Sequence, residues 1–266
     1  MGATAAELVD HAVATGLVPG AVLAAGVRTP EPLLLHVAGH AQRDAAATRM
    51  MTADTVFDLA SLTKVVATLP VVLWLAGRGE IGLDQPVRRY LPRFAAPGGP
   101  GGRAAPGPPG GCAAPGPPGR AGGAGKESVT VRQLLLHTSG LPGVRRYYQH
   151  VHDRDEILTA ALAEPLAAPP GAVFSYSDVG FISLGELAAA VTGRGLDELV
   201  KDVVCGPLGM TATRYLPPPG WAGRIAATEV VGGAAKVGVV HDENAEVLGG
   251  VAGHAGLFGT AADLAR

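Results

Sequence analysis

Cysteine is nearly absent. Cys112 and Cys205 are the only two in 266 residues, too few for a disulfide framework. Cys112 also sits in a Gly/Pro-rich stretch where a bridge would stabilise little. Long runs of like charge are missing too: the formal net charge is −2 and charged residues make up 17% of the chain. That balance argues against a nucleic-acid groove or a polybasic membrane patch, so neither nucleic acid nor membrane is expected as a partner. The most apolar run, residues 65–76, is shorter than the ~20 residues that span a bilayer. The start, Met1-Gly2-Ala3-Thr4-Ala5-Ala6-Glu7, has neither the basic residues nor the apolar stretch of a secretory signal. These absences lead to the expectation of a soluble, cytoplasmic protein.

What is present is apolar. Hydrophobic residues make up 47% of a chain long enough for one large domain or two interlocked lobes. Apolar residues at helical spacing over 5–17, ending at Gly20, predict an opening helix. Short apolar runs over 20–27 and 33–37, divided by Thr29-Pro30-Glu31-Pro32, predict a hairpin. A helix is expected from near Ser61 to about Gly77, kinked at Pro70, because proline removes a backbone donor and clashes with the preceding turn. Further helices are expected over 129–137, 155–163, 181–191 and 196–203, with another pattern starting at Asp263. Helices in the middle and short strands beside them give an α+β or α/β class with an inserted helical lobe.

Residues 95–125 differ in kind. Twenty of these 31 residues are glycine or proline, a composition that buries too little apolar surface to offset its ordering entropy. The expectation is a disordered insertion within a single domain, because helical patterning resumes at once. Glycine does not recur every third residue, which excludes a collagen-like repeat.

Ser61-Leu62-Thr63-Lys64 carries the first chemical signal. Residues three apart share a helix face, so an ammonium at 64 can reach a hydroxyl at 61. A serine hydroxyl needs such a neighbour to act as a nucleophile, and a helix start aims backbone donors at developing negative charge. Six serines and four lysines give about 0.1 such spacings by chance. The bland alternative is a capping serine with a solvated lysine. Apolar Phe57, Leu59 and Ala60 before the pair, with Val65 and Val66 after it, favour the mouth of a buried helix instead. Tyr176, in Tyr176-Ser177-Asp178 after the Pro169-Pro170-Gly171 turn, can present a phenol from a loop; its bland reading is a half-buried structural tyrosine. His137 reads as a residue that closes a helix and caps a turn. His241-Asp242-Glu243-Asn244 and His254 have ligand chemistry but match no metal-site spacing, and read as loop hydrogen bonding or substrate contact.

Several blocks in order carry a resemblance. They are Val56-Phe57-Asp58-Leu59-Ala60-Ser61-Leu62-Thr63-Lys64, then residues 129–142 ending in His137-Thr138-Ser139-Gly140-Leu141-Pro142. Next come Pro170-Gly171-Ala172-Val173-Phe174-Ser175-Tyr176-Ser177-Asp178, Pro207-Leu208-Gly209-Met210 and residues 252–266 around Gly253-His254-Ala255-Gly256-Leu257-Phe258-Gly259. Together they resemble the serine β-lactamase/penicillin-binding-protein superfamily, in particular the class C β-lactamase-like hydrolases with their DD-peptidase and esterase relatives.

The resemblance implies an α+β fold with an antiparallel sheet flanked by helices and a helical lobe. It also implies a metal-free, cofactor-free acyl-enzyme mechanism on an ester, amide or β-lactam. In that reading Ser61 is the nucleophile, Lys64 its proton partner and Tyr176 the general base and acid, with Lys64 or Tyr176 taking the first proton. Asp178 and His254 are taken as the residues that bind a small-molecule or peptide substrate, with loop hydrogen bonding as the alternative for His254. The family's second motif is often Tyr-x-Asn; Asp178 stands at the Asn place, and an ionised Asp cannot donate as an amide does. Residues 256–266 resemble the block that precedes the family's third motif. The implication is that His254-Ala255-Gly256 is not that motif, and that the chain is truncated with its C-terminal strands missing. A D-amino-acid-specific peptidase and a non-catalytic binding protein stand as alternatives.

Deleting residues 97–123 is expected to leave the melting temperature nearly unchanged, because shortening a flexible loop alters closure entropy by only ~1 kcal/mol. Differential scanning calorimetry checks this, and a loss of cooperative unfolding in the deletion would show that the segment packs.

Overall fold

The computed structural model describes residues 4–26, 34–45, 47–95 and 125–266. The insertion expected over 95–125 therefore lies, its two end residues apart, outside the described residues. The chain forms two units, Met1–Pro70 with Asp197–Arg266 and Val71–Leu196.

In the first unit, Thr4 opens the expected helix at Ala5–Ala14. Its hydroxyl accepts from the Glu7 amide, and the Glu7 carboxylate accepts from the Thr4 amide, so two otherwise orphaned donors are satisfied. The expected hairpin follows as β1 (Gly20–Ala25) and β2 (Leu34–Arg43), with Gly20 opposite Gly39 and Ala25 opposite Leu34. Gly39 has a φ of +75°, and a Cβ there would lie 2.3 Å from the Pro19 carbonyl oxygen, so only glycine fits. β3 (Thr48–Met50) adds antiparallel to β2 after an irregularity between His40 and Gln42.

A second three-stranded sheet contains β4 (Phe57–Asp58) and β5 (Arg214–Tyr215) at its sides. β6 (Val230–Val231) and β7 (Ala234–Ala235) make a separate hairpin. β8 (Leu257–Gly259) is the middle strand of the second sheet, antiparallel to both β4 and β5, and all three of its residues are buried. One extended segment ties the two sheets together: Ala226 donates to Val56 O at 2.8 Å and Ala227 donates to Ala41 O at 2.8 Å. An apolar cluster of Ala41, Met51 and Ala226 with Val22, Val37 and Phe57 seals that junction.

The expected helix after Ser61 is helical over residues 62–77, and its irregularity takes the form of a π turn at Lys64–Thr68 ahead of an α-helix at Leu69–Gly77. The Leu69 amide reaches back to Lys64 O. The widened turn ends just before Pro70, whose missing N–H and bulky ring disfavour a regular turn at that place.

The second unit is helical. Thr130 and Gln133 form a reciprocal cap on Val131–Leu135, and Asp153 caps Arg154–Ala163. The longest helix, Asp178–Thr192, starts at Ser177 and stops at Gly193, whose left-handed backbone closes it. Its residues 179–185 are all buried, so it forms the apolar centre of this unit. Among the described residues no helix is long and apolar enough to cross a membrane.

Gly256 leads the chain into β8 with a φ of +111°, and a Cβ there would lie 2.4 Å from the Gly250 carbonyl oxygen. Gly256→Ala is therefore expected to cost about 1–3 kcal/mol. Urea denaturation checks this; an unshifted midpoint would show that the backbone relaxes freely there.

Candidate active site

Ser61 stands at the apex of a turn between β4 and the helix that follows. Asp58 Oδ1 accepts from the Ala60 amide at 2.8 Å, and Ala60 takes a left-handed φ of 45°, a conformation that costs a residue with a Cβ. The amides of Leu62, Thr63 and Lys64 then close tight turns onto the carbonyls of Leu59, Ala60 and Ser61. β8 holds this turn on both sides: Leu59 donates to Leu257 O at 2.8 Å, and the Leu257 amide donates to Thr63 Oγ1 at 3.1 Å. A strained residue held by its surroundings thus stands next to an exposed serine.

Lys64 is only 2% exposed. Its ammonium donates to Ser61 Oγ at 3.0 Å and to His254 O at 3.2 Å. The spacing-based expectation concerned this pair, and the two side chains are within hydrogen-bond distance. One turn further along, Thr68 Oγ1 donates to Gly253 O at 2.7 Å. The Gly253–His254 backbone is therefore held to the lysine-bearing helix at two points.

The side chain of His254, an expected substrate-binding residue, is 1% exposed, and its Nε2 lies 2.8 Å from Asp242 Oδ1. Asp242 also caps the short helix Glu243–Val247 by accepting from the Ala245 amide at 2.8 Å. Burial works against ionisation of Asp242. The His254 hydrogen bond and charge, the Ala245 amide and the positive Lys64 outweigh it and hold the carboxyl below the usual carboxylate range. Next to it, the His241 amide donates to Asp58 Oδ2 at 2.6 Å, so one carboxylate supports both the nucleophile turn and the Asp242 loop.

Tyr176 and Asp178 belong to the second unit. Tyr176 is 46% exposed on a loop, its ring tilted over His137 with centroids 4.6 Å apart. His137 has a left-handed φ of 57° and accepts the Ser177 amide on Nδ1 at 2.9 Å. It also packs against Phe174 and Phe181. Ser177 donates its hydroxyl to Pro142 O and receives the Gly180 amide, which fixes the loop at the helix start. Asp178 is the first residue of that helix, where the macrodipole favours a negative charge, and its amide donates to Gly143 O at 3.0 Å. The loops over 137–143 and 175–178 thus brace one another.

Sequence reasoning missed two features. His137 does more than close a helix, because it shores up the Tyr176 loop. Asp242 and His254 pair with each other, which their separate places in the sequence did not reveal.

A family model described as Beta-lactamase matches residues 5–266. A protein of Escherichia coli (strain K12) named "Putative D-alanyl-D-alanine carboxypeptidase" is 31% identical over 237 residues, covering 80% of this chain and 50% of the relative. The chain thus spans about half the length of the curated relatives it matches. Among solved structures, a class C β-lactamase from Rhodobacter sphaeroides aligns with a TM-score of 0.68 at 22% identity, over 98% of this chain and 63% of the other. A simvastatin synthase from Aspergillus terreus aligns with a TM-score of 0.64 at 25% identity, over 97% and 64%. The fold is that of the β-lactamase/transpeptidase class, with antiparallel sheets and helices as the resemblance implied. A match running through Ser61-Leu62-Thr63-Lys64 and nearly the whole chain places this protein in the β-lactamase family.

Proposed function

We propose that the protein is a serine hydrolase that works through an acyl-enzyme on an ester, amide or β-lactam bond, with Ser61 as nucleophile and Lys64 as its proton partner. The observation that carries this reading is the 3.0 Å contact between Lys64 Nζ and Ser61 Oγ, at a turn clamped by β8. Ser61 Oγ attacks the carbonyl carbon and gives up its proton to a neighbouring base. The carbonyl–leaving-group bond breaks, the leaving group takes a proton, and an ester to Ser61 remains. Water then attacks that ester, releasing the acid and restoring the serine. Tyr176, carried by the second unit, is the residue we assign to proton delivery, on the resemblance of residues 170–178. Asp178 is assigned to substrate binding on the same ground.

A peptide ending in a D-amino acid is the second reading for the substrate. The name of the Escherichia coli relative, 31% identical, supports it. Three chemistries therefore stand to be compared directly. A panel of p-nitrophenyl esters, nitrocefin and D-Ala-D-Ala peptides separates them.

Ser61→Ala is expected to abolish labelling by a fluorophosphonate, read as a mass increase of the intact protein, while the circular dichroism spectrum stays unchanged. Labelling that persists would move the nucleophile elsewhere. Lys64→Ala is expected to slow labelling by about 10³-fold or more, as when a nucleophile and its base act as a unit. Tyr176→Phe, measured alongside, tells which group takes the first proton: the variant with the larger loss in the acylation step identifies it.

A further inference from the structure

Asp242 and His254 have no part in the chemistry just described, yet they lie next to it. His254 has a side chain only 1% exposed, and its Nδ1 is buried without a hydrogen-bond partner among the described residues. With Asp242 ionised, Nε2–H is the donor in the 2.8 Å bond between them. A buried ring nitrogen left without a partner is unfavourable, and an apolar ring would fill the same space without that cost. The polar ring is explained by the one directional bond it makes.

That bond has a mechanical consequence. Asp242 is itself anchored, by the Ala245 amide on its own side chain and by the neighbouring His241 amide on Asp58. Through the ring it fixes the His254 backbone, and His254 O receives Lys64 Nζ at 3.2 Å. Gly253 O, one residue earlier, receives Thr68 Oγ1 at 2.7 Å. The chain of contacts therefore runs from Asp58 beside the nucleophile, through His241 and Asp242 to His254, on to Lys64, and back to Ser61. It closes on itself.

We propose that Asp242 and His254 are positioning residues for acylation: their hydrogen bond sets the His254 carbonyl that holds Lys64 Nζ against Ser61 Oγ. This rests on the assignment of Ser61 and Lys64 made above. It gives His254 a role through its backbone and not through substrate contact, in keeping with a ring that solvent does not reach. A displacement of about 1 Å in a catalytic group can cost on the order of 100-fold in rate, so a hinge this close to Lys64 acts on the chemical step.

The test is the kinetics of Ser61 modification by a fluorophosphonate in the intact chain, resolved into the inactivation rate constant and the apparent binding constant. Asp242→Ser keeps a good helix cap but is too short to reach the His254 ring. Asp242→Asn keeps both the cap and an oxygen that can accept from Nε2–H. The expected result is a fall of about 10- to 100-fold in the rate constant for Asp242→Ser, with the binding constant unchanged. Most of that loss is expected to return in Asp242→Asn. Should Asp242→Ser not fold, His254→Phe reads the same bond from the other side and is expected to lose as much. A parent that labels at Ser61 while Asp242→Ser, or His254→Phe in its place, stays within twofold of it overturns this inference alone. So does an Asn variant as slow as the Ser variant. A parent that fails to label at Ser61 overturns the hydrolase assignment, and this inference with it.

Discussion

A lysine that is 2% exposed has to find acceptors inside the protein. Lys64 finds two of them in Ser61 Oγ and the His254 carbonyl. Much of the first unit can be understood as what is needed to bring those acceptors to it. The π turn that begins at Lys64 sits ahead of Pro70, and the helix continues beyond it. The backbone before β8 bends to offer two successive carbonyls to the same helix, at Lys64 and at Thr68. The first of these carbonyls, that of His254, is one of the acceptors that the buried ammonium uses.

The same unit shows why strain can persist beside a nucleophile. Ala60 adopts a left-handed φ that an alanine avoids on its own. It is kept there by the Asp58 carboxylate on its amide and by a buried middle strand bonded to Leu59 before it and Thr63 after it. In the second unit His137, also left-handed, ties its own turn to the loop of Tyr176 and supports that ring from beneath. In both places the unfavourable backbone belongs to a residue next to, or packed against, the side chain proposed to react, and not to that residue itself.

What could be read from sequence was local. Ser61 and Lys64 are three residues apart, and a helix is all that is needed to bring them together. The first hairpin announced itself through its apolar runs and prolines, and most of the Asp178–Thr192 helix was expected over 181–191. What could not be read was set by pairing across the chain. Leu257 and Thr63 are 194 residues apart, His137 and Ser177 are 40 apart, and Asp242 and His254 are 12 apart with a helix and a bend between them. No periodicity encodes such contacts. His254 read as loop hydrogen bonding or substrate contact, and the sequence did not reveal that its buried ring bonds Asp242.

The Leu257–Thr63 clamp also places the nucleophile in time. Ribosomes add roughly 5–20 residues per second, so the strand that steadies Ser61 is made on the order of ten seconds or more after the serine itself. Through that interval the growing chain carries a hydroxyl without its lysine properly seated, since the His254 carbonyl does not yet exist. Contacts of such sequence separation are slow to find. Ser61 and Lys64 thus gain the strand and the carbonyl that hold them only once residues 254–257 have been made and docked.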